Sequence, residues 1–152
     1  MKELLAKTNN GVDVYMDVED THMLAHKGVP TELIAEAVSK VVYNPTFFIG
    51  EVEMGRVVGV DGCVKTSDTD DVFFACREGR STPSRLVRGR KAEPTTKMVV
   101  GICNDSDDNG VVTLFTAFFG VKAPKELDDP RMTEAERPEA EKFWADHALV
   151  VD

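Results

Sequence analysis

Long apolar runs, histidine, tryptophan and closely spaced cysteines are all scarce in this chain of 152 residues. No stretch approaches the ~20 apolar residues that span a bilayer, and the opening MKELLAKTNNGVDV lacks the hydrophobic centre of a signal peptide. No membrane partner is expected, and the chain is expected in the cytoplasm. The three cysteines, Cys63, Cys76 and Cys103, are odd in number and show no Cys-x-x-Cys spacing, which excludes a zinc ribbon. Each has apolar neighbours. They read as buried thiols of a reducing compartment, with a disulfide as the alternative. Positive charge is also short: 18 Lys and Arg face 27 Asp and Glu, for a net charge of −9. That balance opposes non-specific binding to nucleic acid. A Gly-x-Ser-x-Gly elbow, a phosphate-binding Walker loop and a dinucleotide fingerprint are all missing, as are internal repeats and low-complexity tracts. No cofactor is expected.

Hydrophobic content of 42% and charged content of 30% are those of a globular chain. The length suits a single domain, residues 1–152, with a core over about 10–121 and an acidic, proline-containing segment plus a final helix over 122–152. VDVYMDV (12–18) alternates like a half-buried strand. A short helix is expected over 21–27, capped by Asp20 or Thr21 and ended by Gly28. Leu33, Ile34, Ala37, Val38, Val41 and Val42 then draw one apolar stripe, which predicts a helix over 31–43 that stops at Asn44-Pro45. Five strands follow, over 55–66, 71–78, 84–90, 96–105 and 110–120, parted by short turns that favour antiparallel neighbours. A last helix is predicted over 138–147, with Ala140, Phe143, Trp144 and His147 near one face. The expected class is α+β: two N-terminal helices packed on a four- to five-stranded antiparallel sheet, with a C-terminal helix.

Several groupings can carry chemistry. His22 and His26 stand four apart, a spacing that can ligate a metal, yet the glutamate that the zincin motif needs after its first histidine is replaced by Met23. No metal site is expected. His26 also suits a helix C-terminus, where an imidazolium meets the negative end of the dipole. DSDDNG (105–110) opens like an EF-hand loop, but the twelfth position is Thr116 rather than glutamate, so a polar hairpin turn is expected. Glu51 and Glu53 point the same way from an extended run. They can form an acid–base pair or simply line an exposed edge.

The charge is uneven. Arg77, Arg80, Arg85, Arg88, Arg90, Lys91 and Lys97 are opposed over that segment only by Glu78 and Glu93, a net of +5 that leaves −14 for the remainder. This segment is either a local anion site or a solvated strand face. His26, Lys65, the arginines and a threonine hydroxyl together form a kit for metal-free phosphodiester cleavage. The histidine moves a proton near neutral pH, and the guanidinium groups hold phosphate and offset developing charge. Thr113 and Thr116, three apart, face opposite sides of a regular strand, so only one joins such a cluster; Thr116 fits the alternating apolar face less well and is the candidate.

HMLAHKGVPTELIAEAV (22–38) resembles the opening motif of small bacterial ribonuclease toxins of the RelE- and BrnT-like kind, and VTLFTAFFG (112–120) resembles the last strand of the broader barnase–EndoU–RelE group. The stretches IGEVEMGRVVGVDGCVKT, FTAFFG and FWADHALV are also similar to uncharacterised bacterial proteins of this length. The chain departs from the toxins in reading His26-Lys27-Gly28, in placing Pro30 where a Ser or Thr cap is usual, and in being acidic. The resemblance implies a metal-independent endoribonuclease acting on RNA and supports His26 and Thr116, with Arg77 and Arg85, as catalytic; the basic cluster itself adds Lys65, Arg80 and Arg88 as substrate-binding residues. Its partners would be RNA, or a protein such as an antitoxin or cognate toxin. The alternative is a non-enzymatic binding protein of the immunity type, or an accessory protein on a degenerate nuclease fold. The oligomeric state is open.

Overall fold

A computed structural model describes residues 2–17, 29–44, 46–77, 79–104 and 110–151. The expected first helix over 21–27, with His22 and His26, lies outside the described residues, as do residues 105–109 of the expected hairpin turn. The chain folds into two compact units, residues 1–59 with 95–122 and residues 60–94 with 123–152. The class is α+β: one helix near the N-terminus and one near the C-terminus, packed against a multi-stranded and mostly antiparallel sheet system.

The first unit holds a five-stranded sheet. β1 (Lys2–Lys7), β2 (Asp13–Asp17), β10 (Val112–Phe119), β9 (Lys97–Asn104) and β3 (Phe47–Glu53) lie side by side in that order. β9 and β10 pair antiparallel, as the sequence predicts, and β2 meets β10 in parallel. One face of this sheet carries Val14, Met16, Met98, Val100, Ile102, Leu114 and Ala117 into the core. Helix α1 (Thr31–Ser39) covers that face with Ile34, Ala37 and Val38, the i, i+3, i+4 positions of its stripe. Pro30 starts the helix with fixed φ, and its carbonyl accepts from the amides of Leu33 and Ile34.

The helix ends at Ser39, four residues before the end that its stripe predicts. The reason is tertiary. The Val41 carbonyl accepts from the Asn9 amide, and Tyr43 exchanges two hydrogen bonds with the Asn10 side chain at 2.8 and 2.9 Å. The β1–β2 turn thereby takes the backbone groups that another helical turn would need. Val41 and Tyr43 still enter the core, from an extended segment.

The second unit holds a four-stranded sheet in the order β5 (Cys63–Lys65), β11 (His147–Val150), β7 (Pro83–Arg88), β6 (Asp71–Cys76). This corrects the expectation of one sheet. β6 and β7 close a hairpin with each other, and β7 takes its second neighbour from the chain's last strand, in parallel, rather than from β9. A separate two-stranded pair joins β4 (Gly59–Asp61) and β8 (Glu93–Thr95). The C-terminal helix α2 (Arg137–Trp144) is shorter than predicted, because His147 begins β11. Thr133 and Glu136 exchange hydrogen bonds ahead of it, the reciprocal arrangement of a capping box. Its buried Ala140 and Trp144 tie it to the unit, and the Trp144 indole donates to the carbonyls of Pro124 and Lys125. The core of this unit is small: Val64, Val87 and Ala148, flanked by Val72 and Val150.

Candidate functional site

The basic segment lies largely on the β6–β7 hairpin, and its arginines are occupied by groups of their own unit. Arg77 donates through Nε to the buried Ser84 hydroxyl at 3.0 Å and through Nη2 to Glu126 at 3.2 Å. Arg80 reaches the same Glu126 oxygen at 3.4 Å. The other oxygen, Oε1, is buried and has no hydrogen-bond partner among the described residues. Arg85 donates to the His147 carbonyl and to the Thr66 hydroxyl. Arg88 lies 3.7 Å over the Phe73 ring and 3.6 Å from Asp71. Arg90 joins Asp70 at 3.0 Å, and the Ser67 amide together with this guanidinium holds the Asp70 carboxyl below its ordinary range. Lys65 stands 3.8 Å from Asp146.

Strand pairing further separates the predicted ligands. Asp71 opposes Arg88 and Phe74 opposes Arg85, so Arg85 and Arg88, three apart on an unbroken strand, leave opposite faces. Arg77 and Arg80 do come together, on Glu126, a residue for which the sequence carries no local signal. His26 lies outside the described residues. Thr116 belongs to the other unit.

On Thr116 the structure corrects one step of the sequence argument. The β9–β10 register shifts between Leu114 and Thr116, a bulge that leaves Phe115 as the extra residue. Thr113 opposes Cys103 and Thr116 opposes Gly101, two apart, so both threonines share the sheet face turned away from the core. Gly101 makes room for Phe115 and Thr116. A Cβ there would meet the Phe115 ring at 2.5 Å and the Thr116 methyl at 2.8 Å.

That outer face carries charge towards its ends and an uncharged band across its middle. Leu4, Tyr15, Thr113, Cys103 and Phe47 form one uncharged row across all five strands. Phe47 stacks on Phe115 with centroids 5.5 Å apart, and the two rings remain 53% and 46% exposed. Phe118 continues the patch. Glu51 and Glu53 lie on the edge strand β3; they accept from the Lys122 amide and from the Gly55 amide and Thr96 hydroxyl respectively, and so bind loops rather than each other.

The cysteines differ from one another. All three are free, but Cys76 is exposed, contrary to expectation, because it ends an edge strand. Burial, with Asp61 and Glu126 nearby, pushes the Cys63 thiol up to about 12. Among the described residues, no group of three or more His, Cys, Asp or Glu side chains is placed to hold a metal ion, and no helix is long and apolar enough to cross a membrane.

No family model and no curated protein matches the sequence. One similar solved structure is the 2.35 Å crystal structure of a conserved hypothetical protein from Toxoplasma gondii ME49. The match has a TM-score of 0.54 at 10% identity, and it covers 90% of this chain and 92% of that one. It is a likeness of fold.

Proposed function

We propose that this chain is a non-enzymatic binding protein of the immunity type, acting in the cytoplasm on a basic protein partner through the outer face of its five-stranded sheet. The observation that carries the reading is the uncharged row Leu4–Tyr15–Thr113–Cys103–Phe47 with the exposed Phe115 and Phe118 beside it. At about 4.8 Å per strand the row is roughly 20 Å wide, the scale of an exposed patch that serves an interaction. Net charge of −9 favours encounter with a basic partner. The engagement of Arg77, Arg80, Arg85 and Arg88 with protein groups weakens the case for a phosphate clamp.

The second reading is the metal-independent endoribonuclease on a RelE-like scaffold, or an accessory protein that keeps the fold without the activity. The location of Thr116 beside Phe115 on an aromatic sheet face favours it, since such faces stack unpaired bases. Two arms separate the readings. Tagged wild type and the Phe47→Ser/Phe115→Ser variant are isolated from their host and compared by size exclusion with light scattering. A heteromer with a basic protein, lost in the variant, is the expected result. RNA cleavage is assayed in EDTA with wild type and His26→Ala. Cleavage by wild type that His26→Ala abolishes overturns the binding reading in favour of the nuclease.

A further inference from the structure

Among the described residues, the two larger sheets end in four edge strands, and three of them are guarded by devices that stop unwanted strand pairing. β1 carries Lys2 and Lys7 at its ends, and a register shift between Leu4 and Ala6 interrupts it. β3 carries the exposed Glu51 and Glu53. β5 is three residues long and ends on Lys65. β6 begins on Asp71 but has no lysine, no register shift and no charge within the strand. Its six residues, Asp71–Cys76, pair with β7 in an uninterrupted register, and no charge, proline or glycine stands between its ends. Phe74 in its middle is 60% exposed, and Cys76 is exposed as well. A regular, apolar strand at the end of a sheet is a template for another strand.

We infer that β6 pairs antiparallel with β6 of a second copy of this chain, about a two-fold axis at Phe74, so that two four-stranded sheets become one of eight strands. Symmetry restricts the register. A two-fold axis perpendicular to a sheet leaves each side chain on its own face, and directly opposed residues share a face. Opposed residues must therefore differ by an even number, with one residue of the strand facing itself across the axis. Centring on Phe73 sets Asp71 against Ala75 and Arg77 against Thr69. Centring on Ala75 sets Phe73 against Arg77. Centring on Phe74 sets the exposed ring against its own copy, Val72 against Cys76, and Asp71 against Arg77. Among pairs that lie within residues 71–77, this last register alone opposes unlike charges, and it does so twice. Cross-strand aromatic pairs and unlike charges are the pairs that stabilise a ladder. Asp71 is open to a second guanidinium, since its side chain is 66% exposed in a loose 3.6 Å contact with Arg88, and Arg77, whose Nε and Nη2 serve Ser84 and Glu126, would meet it through Nη1.

The edge is about 20 Å long at ~3.4 Å per residue, which places the contact at the small end of specific interfaces. The dimer therefore depends on concentration. Sedimentation of the full chain from about 5 to about 500 µM brackets interfaces of that size, and the weight-average mass is expected to rise from monomer towards twice that value. Phe74→Lys sets two like charges face to face on the axis and is expected to remain monomeric throughout, with an unchanged circular dichroism spectrum. In a Cys76→Ser background, Phe74→Cys is expected to form a disulfide dimer on oxidation, because directly opposed residues lie about 4.5–5.5 Å apart at Cα, within disulfide reach. Ala75→Cys, displaced from the axis, is expected not to. A wild type that stays monomeric, a dimer that persists in Phe74→Lys, or a cross-link at position 75 in preference to 74 overturns the inference.

Discussion

Replacing Arg85 with alanine removes two hydrogen bonds and the stem of a side chain that lines a cavity beside Phe74 and Trp144. The Thr66 hydroxyl is half-buried and regains water, so its loss weighs little. The His147 carbonyl matters more. It belongs to β11, which sits between β5 and β7 and joins them. A hydrogen bond from a charged donor is worth about 1.5–3 kcal/mol when its acceptor is left unsatisfied. Half-buried methylenes of the arginine stem add roughly 1 kcal/mol. A loss of about 2.5–4 kcal/mol is expected, which at a urea m-value of ~1–3 kcal/mol/M lowers the midpoint by about 1 M or more. Trp144 is the sole tryptophan and lies in the same unit, so its fluorescence reports this transition directly. Arg85→Lys keeps the charge but not the planar fork and is expected to fall between wild type and alanine. An unchanged midpoint in Arg85→Ala would refute the structural assignment. Combined with loss of RNA cleavage, it would restore the phosphate-holding role that the toxin resemblance implies.

Thiol labelling at pH 8 and low protein concentration is expected to modify Cys76 first and Cys63 last, because Cys76 is exposed while the Cys63 thiol, at about 12, carries almost no thiolate; mass mapping of the labelled peptides checks the order. The Lys125 ammonium and the Thr133 hydroxyl and amide hold the Glu136 carboxyl down at about 2, from an ordinary value of 4.5. A carboxyl depressed in the folded state contributes stability above its unfolded value, and that contribution fades as the pH falls from about 4.5 to about 2. Unfolding midpoints measured across that window are expected to drop less steeply in Glu136→Gln than in wild type; parallel slopes would count against the linkage.

Much of the architecture is legible without coordinates. The stripe of α1, the hairpin of β9 and β10, the β6 and β7 strands and a tryptophan-bearing terminal helix all follow from local periodicity and turn chemistry, which a few neighbouring residues decide. The class, α+β with helices on mostly antiparallel sheets, follows from their order. Tertiary structure alone decided the rest, because the deciding partners are distant in sequence. Asn9 and Asn10 end a helix by binding Val41 and Tyr43, more than thirty residues downstream. The last four strand residues join β5 to β7 and so divide the strands between two sheets. Glu126, more than forty residues away, takes the charge of Arg77 and Arg80. One bulged residue, Phe115, brings Thr113 and Thr116 to the same face, where alternation alone sets them apart. Sequence patterns record which face a residue prefers; which group meets it there is settled by long-range pairing, whose competing registers differ by only a few hydrogen bonds.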